Sequence, residues 1–131
     1  MASVVSTPAN VHAYPVPIWR RFAEPAHGGL LHGADVFVAE AGSPAARALL
    51  RLSVRLQQGR VQAARFQAYG CPVAIAVGEW LAERLERSQP FVLPDAAAIR
   101  AALEITEDKA HCALMGEDVV RALWQQIQSQ P

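Results

Sequence analysis

The chain has 131 residues, 52% of them hydrophobic and 18% charged, and its formal net charge is zero. That is long enough to bury one core and too apolar for intrinsic disorder. Interspersed charges of both signs argue against nucleic acid or an anionic membrane surface as the main partner, because both select a basic patch.

Residues 1–16 are rich in Pro, Ser and Asn and are expected to form a flexible N-terminal arm, with a single domain over 17–131. The start carries no basic segment followed by an apolar one, so no secretory signal is expected. No run of ~18 apolar residues occurs, so no membrane span is expected either. With two cysteines and no export signal, the expectation is a cytoplasmic protein with reduced thiols.

PIWRRFAEPAHGG (17–29) opens with a proline suited to a first helical turn and runs into Pro25 and two glycines. A short helix docked by Trp19 and Phe22 fits it. ADVFVAEAG (34–42) is a short strand candidate. ARALLRLSVRL (46–56) alternates, with Leu50, Leu52, Val54 and Leu56 on one side and Arg51, Ser53 and Arg55 on the other. That pattern predicts a half-buried antiparallel strand with one wet face. QQGR supplies a turn into RVQAARFQAYG (60–70), completing a hairpin.

The remainder reads as helix. In CPVAIAVGEWLAERLER (71–87), Val73, Val77, Trp80, Leu81 and Leu85 make one apolar stripe. Glu79, Glu83 and Glu86 are expected on the wet face, near Arg84 and Arg87. LPDAAAIRAALE (93–104) offers Asp95 as N-cap, with Ile99 and Leu103 facing inward. HCALMGEDVVRALWQQIQ (111–128) carries Val120, Leu123, Trp124 and Ile127 inward, with Glu117 and Asp118 towards its start. Strands grouped first and helices later predict an α+β fold, a small three-stranded antiparallel sheet with helices on one face. His12, His27 and His32 share no ligand spacing and read as solvated loop residues.

The two cysteines, Cys71 and Cys112, each fall at the start of a predicted helix, and His111 precedes the second. Helix N-termini stabilise thiolates, the form that binds metal. Two thiolates and an imidazole suit zinc or an iron–sulfur unit, and do not suit magnesium or calcium. On spacing alone the signal is weak, because no C-x₂-C is present. Two buried small side chains beside an incidental histidine are the other reading. A metal site requires the two sulfurs and an imidazole nitrogen to converge within ~4 Å of one another.

RFQAYGCPVAIA (65–76) resembles the Y-G-C-x-x-A-I-A segment of the IscU / NifU N-terminal family of iron–sulfur cluster scaffolds. KAHCALMGEDVVRALW (109–124) is similar to that family's K-x-H-C-S-x-L-x-E-D segment. RRFAEPAHGG (20–29) and AGSPAARALLRLSVRL (41–56) resemble its early H-Y-x-x-P-x-N-x-G and G-A-P-x-C-G-D segments, in the same order. The resemblance implies the SufE/NifU fold. It implies a [2Fe–2S] cluster or iron as cargo, with Cys71, His111 and Cys112 as ligands and zinc as a chemically sensible occupant. It also implies a cysteine desulfurase, a frataxin-type protein and other iron–sulfur assembly proteins as partners.

Three ligand-loop positions depart from the family. Its first cysteine falls on Ala46, the next glycine on Arg47 and the aspartate on Ala48. Three protein ligands remain, so Glu40, Ser43, His32, water, or a thiol from a partner or a second subunit of a homodimer would complete the shell. Arg47 and Lys109 would support thiolates or a bound anion. The family's chaperone tract L-P-P-V-K aligns with ITEDK (105–109), so recognition by an Hsc-type chaperone is not expected. The function expected is a divergent scaffold or carrier, not an enzyme. A non-enzymatic adaptor in iron–sulfur assembly, or a thiol or persulfide sulfur carrier, are the alternatives.

Overall fold

A computed structural model describes residues 9–87 and 91–129, without the side chains of Ser43 and Ala46. Helix α1 spans Val16–Ala23, strand β1 Val36–Ser43, β2 Ala48–Gln57 and β3 Arg60–Tyr69. Then follow α2 (Pro72–Arg87), α3 (Ala96–Leu103) and α4 (Ala110–Gln128). The strands form one antiparallel sheet in the order β1-β2-β3, as the alternating pattern predicts. The hairpin turns on Gln58 and Gly59, both at positive φ (56° and 75°). A two-residue turn of that hand matches the right-handed twist of the flanking strands.

The inward row of β2 is buried: Leu50, Leu52 and Val54 are at 0% exposure. They face α2 and α4, which lie side by side on the same face of the sheet, with α1 on α2 and α3 on α4. The predicted stripe of α2 is buried throughout. Close approach makes this packing possible. A Cβ at Gly78 would stand 2.4 Å from Cδ2 of Phe66, and one at Gly116 would stand 2.7 Å from Cγ1 of Val77. Asp95 caps α3 as expected, accepting from the Ala98 amide at 2.8 Å. Glu117 does not serve the start of α4. It lies in the third turn of that helix and accepts the Ala96 amide at 2.8 Å, closing the start of α3.

The outer face of the sheet is less wet than its alternation suggests. Residues 27–29 first pair in parallel with the free edge of β3, Gly29 N–H donating to the Phe66 carbonyl and Phe66 N–H to that of His27, and the chain then crosses the outer face towards β1. Leu31 N–H then donates to Ser53 Oγ at 3.1 Å, and Ser53 is 1% exposed. The crossing is anchored by His27, which is not a solvated loop residue. Its amide and Nδ1 bond Glu79 at 2.8 and 2.7 Å, and Nε2 bonds Glu86 at 2.8 Å. Glu86 also accepts the Ala64 amide and Arg65. Arg21 of α1 pairs with Glu83 at 3.0 Å. The three glutamates are therefore the polar side of the α2 interface, and Glu79 is only 2% exposed.

Burial opposes a charged His27, but its hydrogen bonds to Glu79 and Glu86 outweigh that and raise its pKa above the ordinary 6.5. Burial likewise opposes a charged Glu86, and the Ala64 amide, His27 and Arg65 outweigh it, so its pKa is lowered. The His27 contribution is fully present below pH 6.5 and is lost as pH rises through the raised value; that of Glu86 is lost on acidification below its ordinary 4.5. His27→Gln should therefore cost about 1–3 kcal/mol near pH 6. It should also remove the fall in stability expected of the parent above pH 6.5, read by urea unfolding across pH. Gly78→Ala tests the close approach. Overpacking of about 1–3 kcal/mol opposes a helix-propensity gain of at most ~1 kcal/mol. A net loss in the urea midpoint is expected.

Candidate functional site

Strand β3 ends at Tyr69 and α2 begins at Pro72, leaving two residues to reverse the chain. Gly70 takes φ 141°, a conformation that side-chain-bearing residues rarely adopt, and a Cβ there would lie 3.3 Å from the Cβ of Ala48. Cys71 is thereby set at the start of α2, its carbonyl accepting the Ala74 and Ile75 amides. The Val73 and Ala74 amides at this helix start favour its thiolate. Cys112 sits in the first turn of α4, fully buried, whereas Cys71 is half-buried.

The two sulfurs lie 3.9 Å apart. Both thiols are free of any disulfide, and a disulfide would require ~2.05 Å. Either sulfur can donate in this contact. The hydrogen bond from Cys112 and the two helix amides overcome burial and bring Cys71 down to about 5. The same hydrogen bond, with burial, pushes Cys112 up. Lys109, the only lysine in the chain, favours the thiolate at both positions. These shifts favour the thiolate at half-exposed Cys71 and the thiol at buried Cys112, which makes Cys112 the favoured donor of the contact.

The sulfurs thus meet the expected distance. His111 does not arrive with them as a third member: no three His, Cys, Asp or Glu among the described residues gather as a metal-holding group. The helix explains this. Consecutive residues diverge by about 100°, so Cys112 points into the core while His111 is left half-buried. Glu40 lies on the outer face of the sheet in an ion pair with Arg51. His32 is exposed, and its carbonyl accepts from Arg55.

The three departing loop positions lie at the β1–β2 connection. Ala46 ends a single 3-10 turn, Pro44–Ala46, and Ala48 opens β2 at 8% exposure, packed under Gly70. Arg47 between them is exposed with φ 53°, in the left-handed region that glycine occupies without cost. The backbone at position 47 therefore keeps the conformation a glycine would favour. A cavity of about 340 Å³ opens beside the first turn of α2, lined in part by His12, Tyr14, Ile18, Val73, Asp108 and Lys109. Its N-terminal wall was not legible in the sequence. That wall, His12 to Pro15, is held by the Asn10 side chain, which bonds both the amide and the carbonyl of Tyr14.

Cys112→Ala removes the donor to the Cys71 sulfur. The pH midpoint of Cys71 alkylation by iodoacetamide, near about 5 in the parent, should move towards the ordinary 9.0. An unmoved midpoint would show that the helix amides and Lys109 suffice.

The model of the NifU-like N terminal domain matches residues 13–130. The iron-sulfur cluster assembly scaffold protein IscU of Escherichia coli K12 is 30% identical over 118 residues, covering 84% of this chain and 90% of that protein. The IscU protein of Azotobacter vinelandii is also 30% identical over 118 residues, with the same coverage. Among solved structures, a nitrogen-fixing NifU-like protein (N-terminal) from Brucella abortus superposes with a TM-score of 0.69 at 15% identity, covering 89% of this chain and 95% of that one. A putative iron-sulfur cluster assembly scaffold protein for the SUF system from Fervidobacterium islandicum gives 0.67 at 12% identity, covering 88% and 98%. With an α+β fold of the same kind and a family match over nearly its whole length, the chain belongs to the NifU-like N-terminal domain family of iron–sulfur cluster assembly scaffolds.

Proposed function

We propose that the chain is a divergent scaffold or carrier that holds iron, zinc or a [2Fe–2S] cluster as cargo on Cys71 and Cys112, with His111 as third ligand. The observation that supports this most directly is the sulfur separation of 3.9 Å. Two thiolates at adjacent corners of a tetrahedron with ~2.3 Å bonds stand ~3.8 Å apart. The pair has the spacing of one edge of such a site before any metal is added. The thiolate character of Cys71 fits the same role, since thiolate is the ligating form. His111 would reach the site by a change in side-chain rotamer or in the first turn of α4. The last corner would come from water, a delivered sulfide or a partner's thiol. In this reading the protein turns over no substrate of its own, works in the cytoplasm, and receives sulfur from a cysteine desulfurase among other assembly proteins.

A second reading, a non-enzymatic adaptor with a degenerate site, is favoured by Ala46 and Ala48 and by the lack of a ready-made third ligand among the described residues. Anaerobic reconstitution with ferrous iron and sulfide separates the two. Visible absorption that disappears in both Cys71→Ser and Cys112→Ser supports the scaffold. Loss of either thiol should cost more than the roughly 10- to 100-fold in affinity that removing an outer partner costs. The double variant A46C/A48D should hold more iron and sulfide per chain than the parent. A colourless parent that nonetheless binds a cysteine desulfurase in calorimetry would favour the adaptor.

A further inference from the structure

The thiol pair is asymmetric in a way that metal binding does not require. Cys71 is half-buried and open to small reagents, whereas Cys112 is at 0% exposure and touches solvent nowhere. The sulfurs are nevertheless 3.9 Å apart, on separate helices whose starts meet. This is the arrangement of an attacking cysteine backed by a resolving one. The cavity at the first turn of α2 is lined by Val73 and Lys109, two and three residues along the chain from the cysteines, and by neither cysteine itself.

We infer that Cys71 and Cys112 form a reversible dithiol–disulfide couple that exchanges with low-molecular-weight disulfides, Cys71 attacking and Cys112 resolving. In the first step the Cys71 thiolate attacks one sulfur of R–S–S–R. A Cys71–S–S–R bond forms, the R–S–S–R bond breaks and RS⁻ leaves. In the second step the Cys112 sulfur attacks the Cys71 sulfur and releases the second R group as RSH, which takes the Cys112 proton. The protein loses two electrons and one proton, and the small disulfide is reduced to RS⁻ and RSH. Closing the bond requires the sulfurs to move from 3.9 Å to ~2.05 Å. Exchange itself needs no metal. Its consequence for cargo rests on the reading above: the disulfide takes away both thiolate ligands, so oxidised protein carries none.

The test uses the full chain, reduced, stripped of metal with a chelator and kept anaerobic. It is equilibrated with oxidised glutathione, quenched in acid, alkylated and weighed by mass spectrometry. The parent should lose two hydrogens, carry no glutathione and resist alkylation at both cysteines. Cys112→Ser, with Cys112→Ala as a second variant in case the first fails to fold, should retain a glutathione adduct on Cys71. Cys71→Ser should show a large loss in the rate of adduct formation, because Cys112 is sealed. A parent that stays a dithiol, or that accumulates the same adduct as Cys112→Ser, would overturn the inference, as would a Cys71→Ser variant that reacts at the parental rate. Cobalt(II) binding to reduced protein, read by its thiolate charge-transfer absorption, is scored separately. Cobalt bound without disulfide formation sinks only the exchange couple, and disulfide formation without cobalt binding sinks only the metal reading.

Discussion

The close approach of α2 to the sheet governs the rest of the molecule. With no side chain on Gly78, the helix axis comes down onto Phe66 and Leu50. A strand and a helix so placed can be joined by only two residues, Gly70 and Cys71, and the positive φ of Gly70 sends the chain back over the strand it has just left. Cys71 has no freedom to lie elsewhere. The position of α4 is fixed in the same manner, by Gly116 against Val77 and Ile99. The distance between the two sulfurs is thus a by-product of helix packing. Local sequence at either cysteine does not determine it.

Two polar groupings serve this packing in opposite ways. Around α2, His27, Glu79, Glu86 and Arg65 alternate in sign and satisfy one another, so a nearly buried carboxylate becomes a clamp for the strap of residues 27–35. The grouping is closed and leaves little to offer a ligand. At the helix starts the donors outnumber the acceptors. Two amides, a thiol and the field of a lysine all favour one negative sulfur. Burial opposes a thiolate at both positions, and these groups act against it at Cys71.

Much of the architecture was legible from periodicity. The inward row of β2 and the stripe of α2 need only the two repeat lengths of strand and helix, and Gln58-Gly59 and Asp95 carry the chemistry of a turn and a cap. What escaped were partnerships between distant positions. Glu79 and His27 are 52 residues apart, and a glutamate on a helix reads as solvated until its partner is known. Glu117 lies towards the start of α4, but the amide it serves belongs to α3, which sequence alone does not show. For the site, the resemblance brought the two cysteines together on paper, and the fold brings their sulfurs together in space. Adjacency in sequence suggested that His111 would accompany Cys112, but helical geometry turns neighbouring residues apart.

The Cys71–Cys112 contact joins positions 41 residues apart in the chain, with the whole of α2 and α3 between them. Anything that bridges the sulfurs closes that stretch into a ring and adds its binding free energy to the folding free energy of the domain. Occupancy and resistance to unfolding must then rise and fall together. Release of a bridging occupant becomes cheapest wherever the start of α2 or α4 can fray, and a protein that grips either helix start commands the release.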